Sequence, residues 1–376
     1  MSPDSSTELL LALARERPEA IDAILADSTP DSERFLSLCE QTDIEPWLDH
    51  QIRTAGLESR IDTRIMGHLA ERRRKTRVDN ALLVGVAEQV LKILTSAGVT
   101  VLGLKGIDLL HRHYERIDLR TVTDVDLLVP RDQLIIALRA LGEHGFTVPD
   151  PAGATHYIRS SHHLPLLSPV PHQVDVEIHW NLVQDVRYDL DVDELFERAK
   201  PLTIGPYRIL HLEDHDFVAH ILLHHLSHYF NRQLKWLIDL RPIVRNPGFS
   251  WKIVAERLHR WGGSMAAAAA VRHLHQLDPQ TVGPETIELF PLPAWRQWLT
   301  APFRSRHPLD WIRRPDRRWL QLYLAAVYLE RPSLLPRWLF LRMTRDRRES
   351  SNPLDDGRGT IDIPLKIRGK HDGAAR

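Results

Sequence analysis

The chain has 376 residues, enough for two or three domains with a sizeable core. Its 49 Lys and Arg nearly balance its 50 Asp and Glu, so no global field directs it to nucleic acid or a membrane surface. The single cysteine, Cys39, excludes an internal disulfide and a cysteine zinc site, and fits a reducing interior. The opening, MSPDSSTELLLALARERPEA, lacks the basic and apolar regions of a signal peptide. No uninterrupted apolar run is long enough to span a bilayer, so a cytoplasmic protein without an integral membrane segment is expected.

Residues 1–98 read as a helical region. Thr7 to Leu25 has apolar residues at helical spacing, and Asp31 precedes a helix running through Cys39. Ser59 to Ala97 is one long helix with a break, or two in series. Its basic run, Arg72 to Lys75, reads first as a solvated face, with phosphate contact the minority alternative. Ala81 to Leu94 is apolar on most faces and is expected to pack on a sheet, with Gly98 closing the helix.

The most informative stretch is VTVLGLKGIDLLHRHYERIDLRTVTDVDLLVP, Val99 to Pro130. Val99 to Leu104 suits a buried strand, and Lys105-Gly106 forms a tight turn into a helix over Ile107 to Tyr114. A second strand, Asp124 to Val129, stops at Pro130. Side chains alternate along a strand, so Asp124 and Asp126 share a face. Two adjacent carboxylates on an otherwise apolar strand are costly unless a cation neutralises them, which suits Mg²⁺ held by carboxylates and substrate phosphates. A helix opening at Gly106 offers N–H groups to phosphate, and Lys105 adds a point charge. Arg120 reads equally as a phosphate ligand or as a salt bridge ordering its loop.

After Pro130, a helix from Gln133 to His144 is capped by Asp132 and closed by Gly145. Residues 156–158 and His163 to Leu167 are strand-like. QVDVEIHW, Gln173 to Trp180, alternates cleanly, placing Asp175, Glu177 and His179 on one face. A linker and short helix follow over 185–199, then a hairpin over 201–212 turning at Gly205-Pro206. The helix EDHDFVAHILLHHLSHYF carries His220, His224 and His228 four residues apart. Three readings compete for this ladder: buried packing first, then contact of His224 and Lys235 with nucleotide, then zinc. Trp251 to His275 forms one or two helices broken near Gly262-Gly263. The Arg- and Trp-rich segment 304–348 reads as a late helical layer, with an acceptor or membrane surface as the alternative. Residues 350–376 are expected to be a disordered tail.

LKGIDLL, Arg120 and TDVDLLVP together resemble the nucleotidyltransferase superfamily, and more closely its branch of uncharacterised nucleotidyltransferases with an LKG turn and an R-x-x-x-D-x-D-L-L-V strand. The superfamily turn is commonly Gly-Ser or Gly-Gly, whereas Ile107 follows Gly106 here. The resemblance implies a third carboxylate from a later strand, and Glu177-Ile178-His179-Trp180 matches that branch, with Asp175 as fallback. It implies an α+β fold: a small mixed β-sheet core over 99–205, flanked by helical regions over 1–98 and 206–349.

The expected activity is Mg²⁺- or Mn²⁺-dependent transfer of a nucleotidyl group from a nucleoside triphosphate, ATP foremost, with release of pyrophosphate. Asp124, Asp126 and Glu177 would be the catalytic metal-site acids, with Glu177 either a metal ligand or the base for the acceptor nucleophile. Lys105, Gly106, Arg120, His224 and Lys235 would contact nucleotide. The acceptor is open among small molecules, sugars, peptides and RNA. A His/Asp metal-dependent phosphohydrolase and a catalytically silent nucleotide-binding protein remain the alternatives.

Overall fold

The computed structural model describes residues 4–149, 158, 161–169, 174–183, 187–227, 233–304, 323, 326–336 and 339. The chain begins with four helices, α1 (Ser5–Ala14), α2 (Pro18–Asp27), α3 (Ser32–Thr42) and α4 (Glu45–Thr54). Asp4 and Asp31 cap α1 and α3 by accepting the Thr7 and Arg34 amides, which satisfies donors that a helix start leaves open. Then comes α5 (Thr63–Ser96), capped by Asp62. It is one continuous helix of about 51 Å, so the break considered from sequence is absent. Its first half packs on α3 and α4, and its second half packs on the sheet.

The six strands are β1 (Leu102–Gly103), β2 (Asp124–Leu128), β3 (His163–Leu167), β4 (Asp175–His179), β5 (Lys200–Ile204) and β6 (Tyr207–His211). They form one mixed sheet in the order β3-β4-β2-β1-β6-β5, so the sheet runs on past residue 205 into β6. Strand β1 is shorter than its apolar run, pairing only Leu102 and Gly103. Helix α6 (Lys105–Arg112) leaves it directly, α7 (Leu134–Glu143) follows β2, and α8 (Val192–Arg198) precedes the β5–β6 hairpin. The second helical region contains α9 (Asp214–Ser227), α10 (Gln233–Val244), α11 (Trp251–Arg260), α12 (Ser264–Leu277), α13 (Pro284–Glu288) and α14 (Ala294–Arg304).

One sheet face is apolar. Val125, Leu127, Val176 and Ile178 are completely buried against Leu83, Val86, Val90 and Leu94 of α5 and Ala137, Leu138 and Leu141 of α7. Burial of each large aliphatic chain stabilises the fold by about 1.5–3 kcal/mol. The opposite face is shared. Leu102 and Leu128 join the core containing Phe217, Leu222, Leu237 and Leu240 of α9 and α10, while the ends of β2 and β4 on that face carry charge. The expected α+β architecture is therefore present.

The basic run on α5 divides. Arg74 and Lys75 make exposed local pairs with Glu71 and Asp79, as a solvated face would. Arg72 instead reaches buried Glu45, and Arg73 reaches buried Asp49 and Asp118. Two turns beyond Arg73, Asn80 is fully buried and holds the loop before β2: its amide donates to the carbonyls of Ile117 and Arg120, and its oxygen accepts the Val122 amide. The strand expected at 156–158 lies outside the described residues apart from Ile158, which is helical. His228, most of 304–348 and the whole of 350–376 also lie outside them.

Asp118 anchors that loop from below, accepting from Arg73, Arg77 and Arg116. Burial alone would raise its pKa, but hydrogen bonds from Arg116 and Arg77 and the Arg73 charge hold it well below the ordinary 3.8. A carboxylate depressed in the folded state contributes stability above the unfolded value and loses it as pH falls below. Asp118→Asn should therefore melt below wild type at pH 7, and the gap should close as the pH is lowered through 4 towards 2. Thermal melts across that range check the sign.

Candidate active site

The site follows from register. β2 and β4 run parallel, with Asp124 opposite Asp175, Asp126 opposite Glu177 and Leu128 opposite His179. Because faces alternate, Asp124, Asp126, Glu177 and His179 all project from the non-α5 side. Asp126 is 1 % exposed, Glu177 half-buried, and Asp175 exposed at the strand end. A cavity of about 520 Å³ opens here, between this sheet face and His224, Lys235 and Trp236 on α9 and α10.

Two side chains answer the carboxylates. Lys105 Nζ donates to Asp126 Oδ1 at 3.0 Å. His179 Nε2 lies 2.9 Å from the same oxygen and 3.2 Å from Glu177 Oε2. Burial raises the Asp126 pKa, but Lys105 and the His179 hydrogen bond outweigh it and hold the carboxyl ionised far below the usual range. Burial lowers the His179 pKa, and its bonds to Asp126 and Glu177 more than reverse this. Asp124 has no such direct cation. Burial first, then repulsion from Asp126, pushes it up to about 6. The strands thus assemble more negative charge than their own cations neutralise, and the excess falls on Asp124.

Lys105 is held in place by backbone as well as charge. Its φ is +42°, left-handed for a non-glycine residue, a conformation that costs about 1–2 kcal/mol. Gly106 lets the turn press against the β2 loop: a Cβ there would lie 2.5 Å from Val122 Cγ1. So Gly106 is required for close approach to Val122, and both Lys105 and Gly106 line the cavity.

Other expected residues divide. Arg120 lines the cavity edge, but its guanidinium is committed to Asp239 through two 2.8 Å bonds in a buried fork. The Asp239 carboxylate also accepts from Tyr114 at 2.7 Å. This is the loop-ordering arrangement: it ties both ends of the loop between α6 and β2, Tyr114 and Arg120, to α10. Lys235 bonds Asp43 and Thr121 at 2.5 and 2.7 Å, joining α10 to the same loop. His224 reaches the cavity wall, with its ring 5.3 Å from Trp236 and 5.8 Å from His220. His220 itself is buried behind it.

The sequence reading passed over His162 and His163. Both line the cavity beside Glu177 and His179. Burial, together with a neighbouring imidazole, lowers both rings, His163 to about 4, so they are neutral at pH 7. The signal was a His-His pair at the start of a strand, which carries no chemistry until β3 is seen paired with β4. Two clusters among the described residues bring three metal-capable groups together, Asp126–Glu177–His179 and His162–His163–His179.

The acids fit a divalent cation. Carboxylate oxygens are the donors Mg²⁺ and Mn²⁺ prefer, and burial together with the Asp126 charge raises the Asp124 pKa to about 6, a cost that a bound cation would relieve. Arg120–Asp239 supports this wall. Asp239→Asn leaves a buried guanidinium uncompensated, so it should cost about 3–5 kcal/mol, read as a drop in urea midpoint; an unchanged midpoint would remove the network from the account.

Neither the curated proteins nor the solved structures contain a match to this chain. Among the described residues no helix is long and apolar enough to cross a membrane. The family model described as uncharacterised nucleotidyltransferase matches residues 28–278, from before α3 through the end of α12, and so spans the sheet, the cavity and both its walls. With the aspartate pair, the later acid and the LKG turn all inside that span, the chain belongs to the uncharacterised nucleotidyltransferase family.

Proposed function

We propose that this protein transfers a nucleoside monophosphate from a nucleoside triphosphate, ATP foremost, to an acceptor and releases pyrophosphate. The observation that carries the reading is the convergence of Asp124, Asp126 and Glu177 on one sheet face beside a lysine at the start of a helix.

Asp124, Asp126 and Glu177 would hold Mg²⁺ or Mn²⁺, which supplies charge stabilisation to the attacking and leaving oxygens of the displacement. The chain's own groups do the rest. Glu177 sits at the cavity wall and is the candidate to accept the proton of the acceptor's nucleophile. The acceptor oxygen or nitrogen bonds to the α-phosphorus as the bond to the β-phosphate oxygen breaks. Lys105, now on Asp126, lies where it can exchange that partner for the triphosphate. His224, Lys235 and Trp236 form the facing wall, where aromatic rings suit a nucleotide base and Lys235 would have to leave Asp43 to reach phosphate. Arg120 acts in this scheme by holding its loop through Asp239 rather than by contacting phosphate.

The hydrolase alternative draws no support from the described residues. Neither metal-capable cluster includes His220, His224 or Asp239, and Asp239 is occupied by Arg120 and Tyr114.

The test uses α-labelled triphosphates, Mg²⁺ or Mn²⁺ and a fractionated cell extract. Wild type should move label into one fraction. Asp124→Asn should lower that transfer by at least about 100-fold while melting no lower than wild type at pH 7.5, because it removes a like charge from a crowded site. Comparable transfer by Asp124→Asn would sink the assignment.

A further inference from the structure

Beside the carboxylates stand three histidines, of which His179 is bonded to Asp126 and Glu177. His162, His163 and His179 each present a ring nitrogen, and these three atoms lie within 4.8 Å of one another. The antiparallel register pairs His163 directly with His179 across β3 and β4. Ring centroids are 4.6 Å apart for His162–His163, 5.0 Å for His163–His179 and 5.7 Å for His162–His179. The planes are inclined by 81°, 34° and 56°, so the rings do not form a flat stack.

We propose that His162, His163 and His179 form a site for a first-row transition-metal dication, Zn²⁺ in preference to Mg²⁺, beside the carboxylate site. His162 Nε2 lies 3.3 Å from His163 Nδ1. Two nitrogens bound tetrahedrally at about 2.0–2.1 Å from zinc stand about 3.3 Å apart, so this pair already has the spacing of two ligands. His179 supplies the third. Its Nε2 is committed to Asp126 and Glu177, while its Nδ1 is buried with no hydrogen-bond partner among the described residues. A carboxylate on one ring nitrogen and a metal on the other is the usual arrangement of a ligating histidine, since it fixes the tautomer and raises the basicity of the donor. Asp126 would therefore serve both sites, as oxygen ligand to one and as orienter of a nitrogen ligand to the other.

Donor type separates the two sites. Three imidazoles select Zn²⁺ and its neighbours, and hard carboxylate oxygens select Mg²⁺ or Mn²⁺. A three-histidine set leaves a fourth position for water or substrate. All three residues line the cavity, so that fourth ligand comes from the cleft. The inference stands on the histidine geometry and does not require the nucleotidyl-transfer reading.

The experiment takes the full chain, stripped with chelator, and titrates it with ZnCl₂ by calorimetry and with CoCl₂ by visible absorbance. One equivalent of Zn²⁺ should bind in the presence of millimolar Mg²⁺, and Co²⁺ should give the intense visible bands of a tetrahedral site. His162→Gln with His163→Gln should weaken Zn²⁺ by more than the roughly 10–100-fold that loss of an outer-sphere partner costs. Asp124→Asn should leave Zn²⁺ affinity unchanged, whether or not it abolishes transfer, so the two proposals fail separately. Absence of stoichiometric Co²⁺ bands in wild type would overturn the site even if the double variant fails to fold. Equal Zn²⁺ affinity in wild type and a folded double variant would overturn it too, leaving the histidines as a hydrogen-bonded support for His179.

Discussion

The structure is organised around a repulsion. Parallel pairing of β2 with β4 brings Asp124, Asp126 and Glu177 onto one partly buried face. Like charges so placed disfavour the ionised state unless compensated. Lys105 and His179 compensate Asp126, and Asp124 is left with a raised pKa. The apolar face beneath is what makes this possible, because Val125, Leu127, Val176 and Ile178 lock the register. A one-residue slip would turn the acids into the α5 core and the aliphatic chains into the cleft.

A second buried network sets the opposite wall. Asn80 and Asp118 hold the loop before β2 from the α5 side, and Arg120–Asp239–Tyr114 and Lys235–Thr121 hold it from the α10 side. The loop is therefore clamped between the two helical regions. Positions that look like surface punctuation in the sequence, such as Asp43 and Thr121, are cross-links between elements far apart in the chain. The cleft depends on that clamp for its width, and the facing residues His224 and Trp236 depend on it for their distance from the acids.

Alternation within each strand was enough to pair Asp124 with Asp126 and Asp175 with Glu177, since a period of two is a local property; that Glu177 joins the aspartates was implied by the family resemblance, and the β2–β4 register places it there. The LKG turn was equally legible, because glycine after a short apolar run has few other uses. What local pattern does not contain is partner choice. Arg120 offered two roles of equal standing, and only the arrival of α10 with Asp239, 119 residues later, separates them. The arginines of α5 likewise look alike in sequence, yet burial of Glu45, Asp49 and Asp118 sorts Arg72 and Arg73 from Arg74 and Lys75. His162 and His163 became visible only through the β3–β4 register, which single-chain periodicity does not determine.

The central claim is that the acids of β2 and β4 are a cation site for a bound triphosphate. Diffraction from crystals grown with Mn²⁺ and an ATP analogue that resists cleavage between the α- and β-phosphates tests it directly. The account predicts an anomalous manganese peak bounded by Asp124, Asp126 and Glu177, with the triphosphate alongside and Lys105 swung from Asp126 onto phosphate oxygen. Manganese and triphosphate bound away from these three carboxylates, with Lys105 still on Asp126, would contradict it.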